Sequence, residues 1–284
     1  MNQRWWIRPP MPDESLSSVL SRAAALYECS PSQIWESLNR DDPKPAGDVD
    51  LPSYPALRRM AAAIGVPPSG LLAHRLRDAP WLLASQARTA YCQACWSEDH
   101  ARGNPYSIRR GWTRALRTFC PNHGYPLRLA PEHWAISSLS SPFQLPTFTE
   151  VERQILSLIE SFGQALEGSL YSGQPWPNSW RANPQATRQL LLAFSFNVNE
   201  VRDFPSTKFV QAPANLAEFI RGPLHLEDPV KKLRWDLFRG LADPAIRRAG
   251  LWATAWTVMP NCPAALSPGW LKLPAHIEAR IHSK

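Results

Sequence analysis

Two short stretches, "YCQACW" and "TFCPNHGYPL", constrain this chain more than any other feature. The first places Cys92 and Cys95 three positions apart. The second does the same for Cys120 and His123, and a spacer of 24 residues separates the two pairs. Ligands at this spacing on a tight turn can aim at one ion, and a second such knuckle completes a tetrahedral zinc shell of thiolates and imidazole. Pro121 and Asn122 inside the second knuckle, and Gly124 after it, suit a turn. Three buried core cysteines, a Cys–His catalytic pair and a redox C-x-x-C are the competing readings. A catalytic pair leaves the matching C-x-x-C unexplained, and no βαβ pattern surrounds the candidate redox motif. One structural zinc on Cys92, Cys95, Cys120 and His123 is the expectation. His100, five residues past Cys95, is a rival ligand that breaks the two-knuckle symmetry. Cys29 and Cys262 are solitary and read as small buried hydrophobes.

No apolar stretch has the length of a signal peptide or a membrane span. Reduced cysteines in a cytoplasmic protein are therefore expected, which favours zinc over disulfides. An excess of 31 Lys+Arg over 24 Asp+Glu gives a net charge of +7 and favours a polyanionic partner. The 29 prolines cut the chain into short elements, while 13 tryptophans supply bulk for cores and docking faces.

"PDESLSSVLSRAAALYE" opens a helix, with Asp13 as the expected cap and Leu16, Val19, Leu20, Ala23, Ala24 and Tyr27 as its apolar stripe. "SPSQIWESL" follows, with Ser30 capping and Pro31 at the first helical position. A shift of 37 residues lays "LSRAAALYECSPSQIW" (20–35) over "LRRMAAAIGVPPSGLL" (57–72) without a gap. The repeat predicts two helix-turn-helix units in which Ala24, Ala25, Ala61 and Ala62 are buried. The second unit turns at Gly65 and restarts near Pro67, and Ser69, His74, Arg75 and Arg77 are its candidates for reaching a DNA groove.

Residues 86–130 form the expected zinc module. The aromatic and apolar content of "YSIRRGWTRALRTF" reads as strands, hence a ribbon whose knuckles are joined by short hairpins, with the ion supplying much of its folding energy. Arg102, Arg109, Arg110, Arg114, Arg117 and Arg128 crowd the module against Glu98 and Asp99. They form either a solvated basic face or a contact for phosphate or an acidic protein. Beyond Pro142 the pattern turns helical: "TFTEVERQILSLIESFGQALEG" starts with a capping box, Thr149 to Glu152. "NPQATRQLLLAFSF", "PANLAEFIRG", "PVKKLRWDLFRGLA" and "DPAIRRAGLWATAWTVM" are further amphipathic helices. The expected fold is mainly α. A helix-turn-helix-like domain covers 1–85, a small β zinc ribbon 86–130 and a helical C-terminal region 145–284. A closed zinc shell leaves no position for activated water and no glycine-rich phosphate loop is present, so an enzyme is not expected.

Together "RPPMPDESLSSVLSRAA", "YCQACW" and "GWTRALRTFCPNHGYPL" resemble the TniQ family of transposition proteins, over roughly residues 7–130. The family pattern is a "DESL-x-S-x-L-x-R" helix followed by C-x-x-C and C-P-x-H-G-x-x-L. The resemblance maps zinc ligands onto Cys92, Cys95, Cys120 and His123. Many relatives carry a second ribbon, for which the lone Cys262 offers no match. The resemblance implies an adaptor that selects the insertion site, on target DNA or on a CRISPR effector complex, and recruits an AAA+ transposition ATPase. A homodimer is compatible with that role. A sequence-specific DNA-binding regulator built from a helix-turn-helix and a zinc ribbon is the alternative.

Overall fold

The computed structural model describes residues 5–40, 47–131, 134–135, 145–197, 235–260, 262–263 and 266–268. The chain divides into two compact units. One comprises Met1–Arg114 with Cys120–Gln144, the other Ala115–Phe119 with Leu145–Lys284. The fold is mainly helical, with one two-stranded sheet among the described residues. None of the described helices is long and apolar enough to cross a membrane.

In the first unit two helical pairs share one core. Helices α1 (Leu16–Leu26) and α2 (Pro31–Leu38) form the first pair, α3 (Tyr54–Ile64) and α4 (Pro68–Leu72) the second. Leu16, Leu20, Ile34, Leu57, Met60 and Leu71 are buried together between them. Ser30 caps α2 in a full capping box with Gln33, and Pro31 takes the first turn, as expected. Gly65 ends α3 at φ 79°, a left-handed conformation that glycine adopts without a Cβ clash.

Three local expectations need correction. The cap of α1 is Ser15, whose hydroxyl accepts from the Ser18 amide; Asp13 lies outside the helix at φ 62° with its carboxylate 3.1 Å from Arg110. Ala24 and Ala61 are buried, but Ala25 is half-buried and Ala62 exposed. The inward row of α3 runs Leu57, Met60, Ala61, Ile64, and at about 100° per residue Ala62 is carried off that row. Helix α4 ends at Leu72, so His74, Arg75 and Arg77 follow it rather than sit on it.

The "DESL-x-S-x-L-x-R" residues form one buried network. Glu14 accepts from the Met11 amide at 2.8 Å, Ser18 Oγ at 2.7 Å and Arg22 Nε and Nη2 at 2.9 Å each. Ser18 Oγ in turn accepts from the Ile108 amide at 3.0 Å, while the Ser15 amide donates to the Ile108 carbonyl at 2.9 Å. The start of α1 thereby docks on the segment between the knuckles. This also explains why residues 106–119 are not the strands expected of them. Ile108 spends its backbone groups on α1, and the stretch holds isolated bridges and a 3-10 turn at Arg110–Thr113 instead.

In the second unit, α6 (Glu150–Tyr171), α7 (Pro184–Asn197), α8 (Trp235–Arg239) and α9 (Pro244–Val258) pack around Phe162, Leu191, Phe238, Leu251 and Val258. The Thr149–Glu152 capping box forms as expected. Of the other expected helices, "PANLAEFIRG" and the start of "PVKKLRWDLFRGLA" lie outside the described residues.

Candidate metal centre

A short ladder brings the two knuckles together. Strand β1 (Ala90–Tyr91) pairs antiparallel with β2 (Arg128–Leu129), Ala90 opposite Leu129 and Tyr91 opposite Arg128. Cys92 follows β1 directly and is the N-cap of α5 (Gln93–Ala101), and Cys95 lies in that helix's first turn. The helix N-terminus carries partial positive charge, which favours thiolates there. The second knuckle is a turn: the Gly124 amide donates to the Cys120 carbonyl at 2.9 Å, and Gly124 sits at φ 64°. Behind both, Trp96 is fully buried, stacks on Tyr91 at 4.0 Å and donates its indole N–H to the Ser107 carbonyl at 2.8 Å. With Ile108, Trp112 and Leu127 it forms an apolar core.

The ligand atoms of Cys92, Cys95, Cys120 and His123 all lie within 4.8 Å of one another. Cys95 Sγ and Cys120 Sγ are 3.6 Å apart, and His123 Nδ1 lies 3.7, 3.3 and 3.6 Å from the sulfurs of Cys92, Cys95 and Cys120. A tetrahedron with Zn–S of about 2.3 Å and Zn–N of about 2.0 Å needs S···S near 3.8 Å and S···N near 3.5 Å. The spacings fit. The cluster could bind a metal ion, and it is built from four side chains that converge on one point.

Electrostatics also favour a cation. Hydrogen bonds from the Cys92 and Cys95 thiols hold Cys120 far below the ordinary thiol range. The same contact with Cys120 pushes Cys92 up to about 11 and raises Cys95 as well. A metal dication bound among them would favour the thiolate form of all three.

Glu98 completes the arrangement. Its Oε1 lies 2.9 Å from His123 Nε2, so Nε2–H donates to the carboxylate and Nδ1 keeps its lone pair toward the sulfurs. Burial opposes protonation of His123, but its hydrogen bonds with Glu98 and Cys120 outweigh that and raise its pKa. Glu98 was read from the sequence only as an opposing charge. Its position three residues past Cys95, on the helix the first knuckle opens, is the one signal that could have found it. His100 lies outside the cluster and faces Tyr106, with Nδ1 3.4 Å from the phenol oxygen.

The candidate contact residues are scattered. Arg109 grips both oxygens of buried Asp99 at 2.7 and 2.6 Å and donates to the Pro12 carbonyl at 2.8 Å. Arg110 pairs with Asp13 and donates to the Ala73 carbonyl. Arg114 stacks over Trp81 at 4.2 Å, and Arg102 lies 3.5 Å from Glu98. Arg117 belongs to the second unit, 3.6 Å from Glu167. His74 Nδ1–H donates to the Glu14 carbonyl at 2.8 Å. Arg75 and Arg77 are exposed and, with Arg58 on α3, make no ion pair among the described residues.

The TniQ family model matches residues 6–127. No curated protein and no solved structure matches the chain. The match begins beside the buried Trp5, covers both helical pairs and the Glu14–Ser18–Arg22 network, and ends four residues after His123. Over this segment, less than half of the chain, the sequence is similar to the TniQ family.

Proposed function

We propose that the chain is a target-selection adaptor of DNA transposition, which marks the insertion site and recruits an AAA+ ATPase to it. The observation that carries this reading is the extent of the family match, which contains all four metal-cluster residues and the network docking α1 onto the segment between the knuckles. Zinc is the ion that the donor set favours. Three thiolates and an imidazole at tetrahedral spacing form a closed shell, which suits holding a fold rather than activating water.

Target DNA, or the nucleic acid of a targeting complex such as a CRISPR effector, supplies the polyanion. Arg75 and Arg77, with Arg58, are the cations placed for it, because their side chains are exposed and make no ion pair among the described residues. Arg109 and Arg110 act first on the fold, through Asp99 and Asp13. The deciding experiment maps insertions genome-wide in cells carrying the cognate transposase and ATPase, with and without this chain, and asks whether the tagged chain co-purifies the ATPase. The proposal expects insertions at one site or one guided position only when the chain is present, with the ATPase retained on it. An unchanged insertion distribution, with no ATPase retained, contradicts it.

A further inference from the structure

The residues that follow α4 are tied down from three sides, all within the first unit. Helix α4 itself has only five residues, too few to hold an orientation without tertiary contacts. Past its end the Ala73 carbonyl accepts from Arg110 Nη1. His74 Nδ1–H donates to the Glu14 carbonyl at 2.8 Å, and the Leu76 amide donates to the Asp50 carbonyl at 2.9 Å. Leu76 is buried, while Arg75 and Arg77 on either side of it are exposed.

Each anchor is itself fixed. Glu14 belongs to the buried network with Ser18 and Arg22. Asp50 is fully buried, accepts from the Ser17 amide at 2.8 Å and lies 3.0 Å from Arg88. Arg110 stands between Ile108 and Trp112, which share a core with Cys92, Cys95 and Cys120, and its own amide donates to the Asp13 carbonyl at 2.7 Å. Two arginines on a surface loop need no such hold to stay in water. Holding their backbone in advance lowers the ordering cost when the loop binds. We infer that His74 and Arg110 are positioning residues for the nucleic-acid contact: they fix loop 73–77 on the start of α1 and on the segment between the knuckles, so that Arg75 and Arg77 meet phosphate from a preset loop rather than from a helix. The inference rests on the reading of Arg75 and Arg77 given above. It has the segment between the knuckles serve that contact from behind, without touching the nucleic acid.

Binding of the full chain to a fluorescently labelled random-sequence DNA duplex is titrated at several salt concentrations, for variants that circular dichroism shows folded. Arg75→Ala with Arg77→Ala should flatten the dependence of log affinity on log salt by about one unit per lost phosphate contact. His74→Ala and Arg110→Ala should each weaken binding by about fivefold, the scale of one hydrogen bond's net contribution. His74→Asn, whose amide nitrogen stands where Nδ1 stands in histidine, should recover most of that loss. The deciding readout is the combination. Added to Arg75→Ala with Arg77→Ala, either change should cost nothing further, because a positioning residue has no effect once the groups it positions are gone. Amide exchange at Leu76 should also quicken in His74→Ala. Costs that add in the combined variants, or single variants that bind like wild type, overturn the inference while leaving the reading of Arg75 and Arg77 intact. Where one of the two single variants does not fold, the other decides. A wild-type chain that ignores the duplex, or an Arg75→Ala with Arg77→Ala chain that binds it like wild type, overturns the inference and that reading together.

Discussion

Arg109→Ala tests whether the arginines of the metal module serve the fold. Asp99 has 2% of its side chain exposed and receives two hydrogen bonds from Arg109, whose own side chain is 16% exposed. Truncation leaves a buried carboxylate without its cation and frees the Pro12 carbonyl that Arg109 also holds. Breaking such a pair from one side costs about 3–5 kcal/mol when fully buried, and the partial exposure of Arg109 puts the expectation near the lower end, about 3 kcal/mol. For a unit of this size that lowers Tm by roughly 10 °C. The pH dependence has a definite sign. Burial already lifts the Asp99 carboxyl above its usual range against the opposing pull of Arg109. Removing Arg109 lifts it further. A carboxyl whose folded pKa exceeds its unfolded value burdens the folded state when ionised, and that burden vanishes as pH falls through the folded pKa. The Tm gap between variant and wild type should therefore narrow on acidification from neutral pH. Differential scanning calorimetry across that range is the assay. A variant melting with wild type at neutral pH, or a gap that widens with acid, refutes the reasoning.

Three further outcomes are expected. Glu98→Ala should weaken metal affinity by about 10–100-fold in a competitive chelator titration, because His123 loses the acceptor that orients it. His123→Ala should lose the metal and His100→Ala retain it by elemental analysis, since only His123 lies in the cluster. Arg75→Ala with Arg77→Ala should leave Tm unchanged, as both are exposed, and should flatten the salt dependence of DNA binding by about one unit per lost phosphate contact.

What was legible in the sequence was local. The four clustered residues stand out because cysteine and histidine at fixed short spacing have few other uses, and the caps at Ser30 and Thr149 because capping is settled within one turn. The repeat marked both helical pairs, yet misjudged Ala62, because a one-residue error on a helix rotates a side chain off the core. The arginines misled for a different reason. Asp99 is ten residues from Arg109 and Asp13 is 97 from Arg110, so the partners that occupy them are set by tertiary packing. The same holds for Glu98 on His123 and for Arg247 on Ala115, contacts that span 25 and 132 residues. Strand content was expected at 106–119 from side-chain type alone, whereas the backbone of Ile108 is claimed by Ser15 and Ser18.

Zinc K-edge X-ray absorption on the full chain, purified without chelator and quantified by elemental analysis, tests the metal centre most directly. The account predicts one zinc per chain, with three sulfur scatterers at about 2.3 Å and one nitrogen at about 2.0 Å. It also predicts loss of that signal in Cys120→Ser and its persistence in Cys29→Ser and Cys262→Ser. Protein free of zinc, or a shell dominated by oxygen and nitrogen, would contradict it.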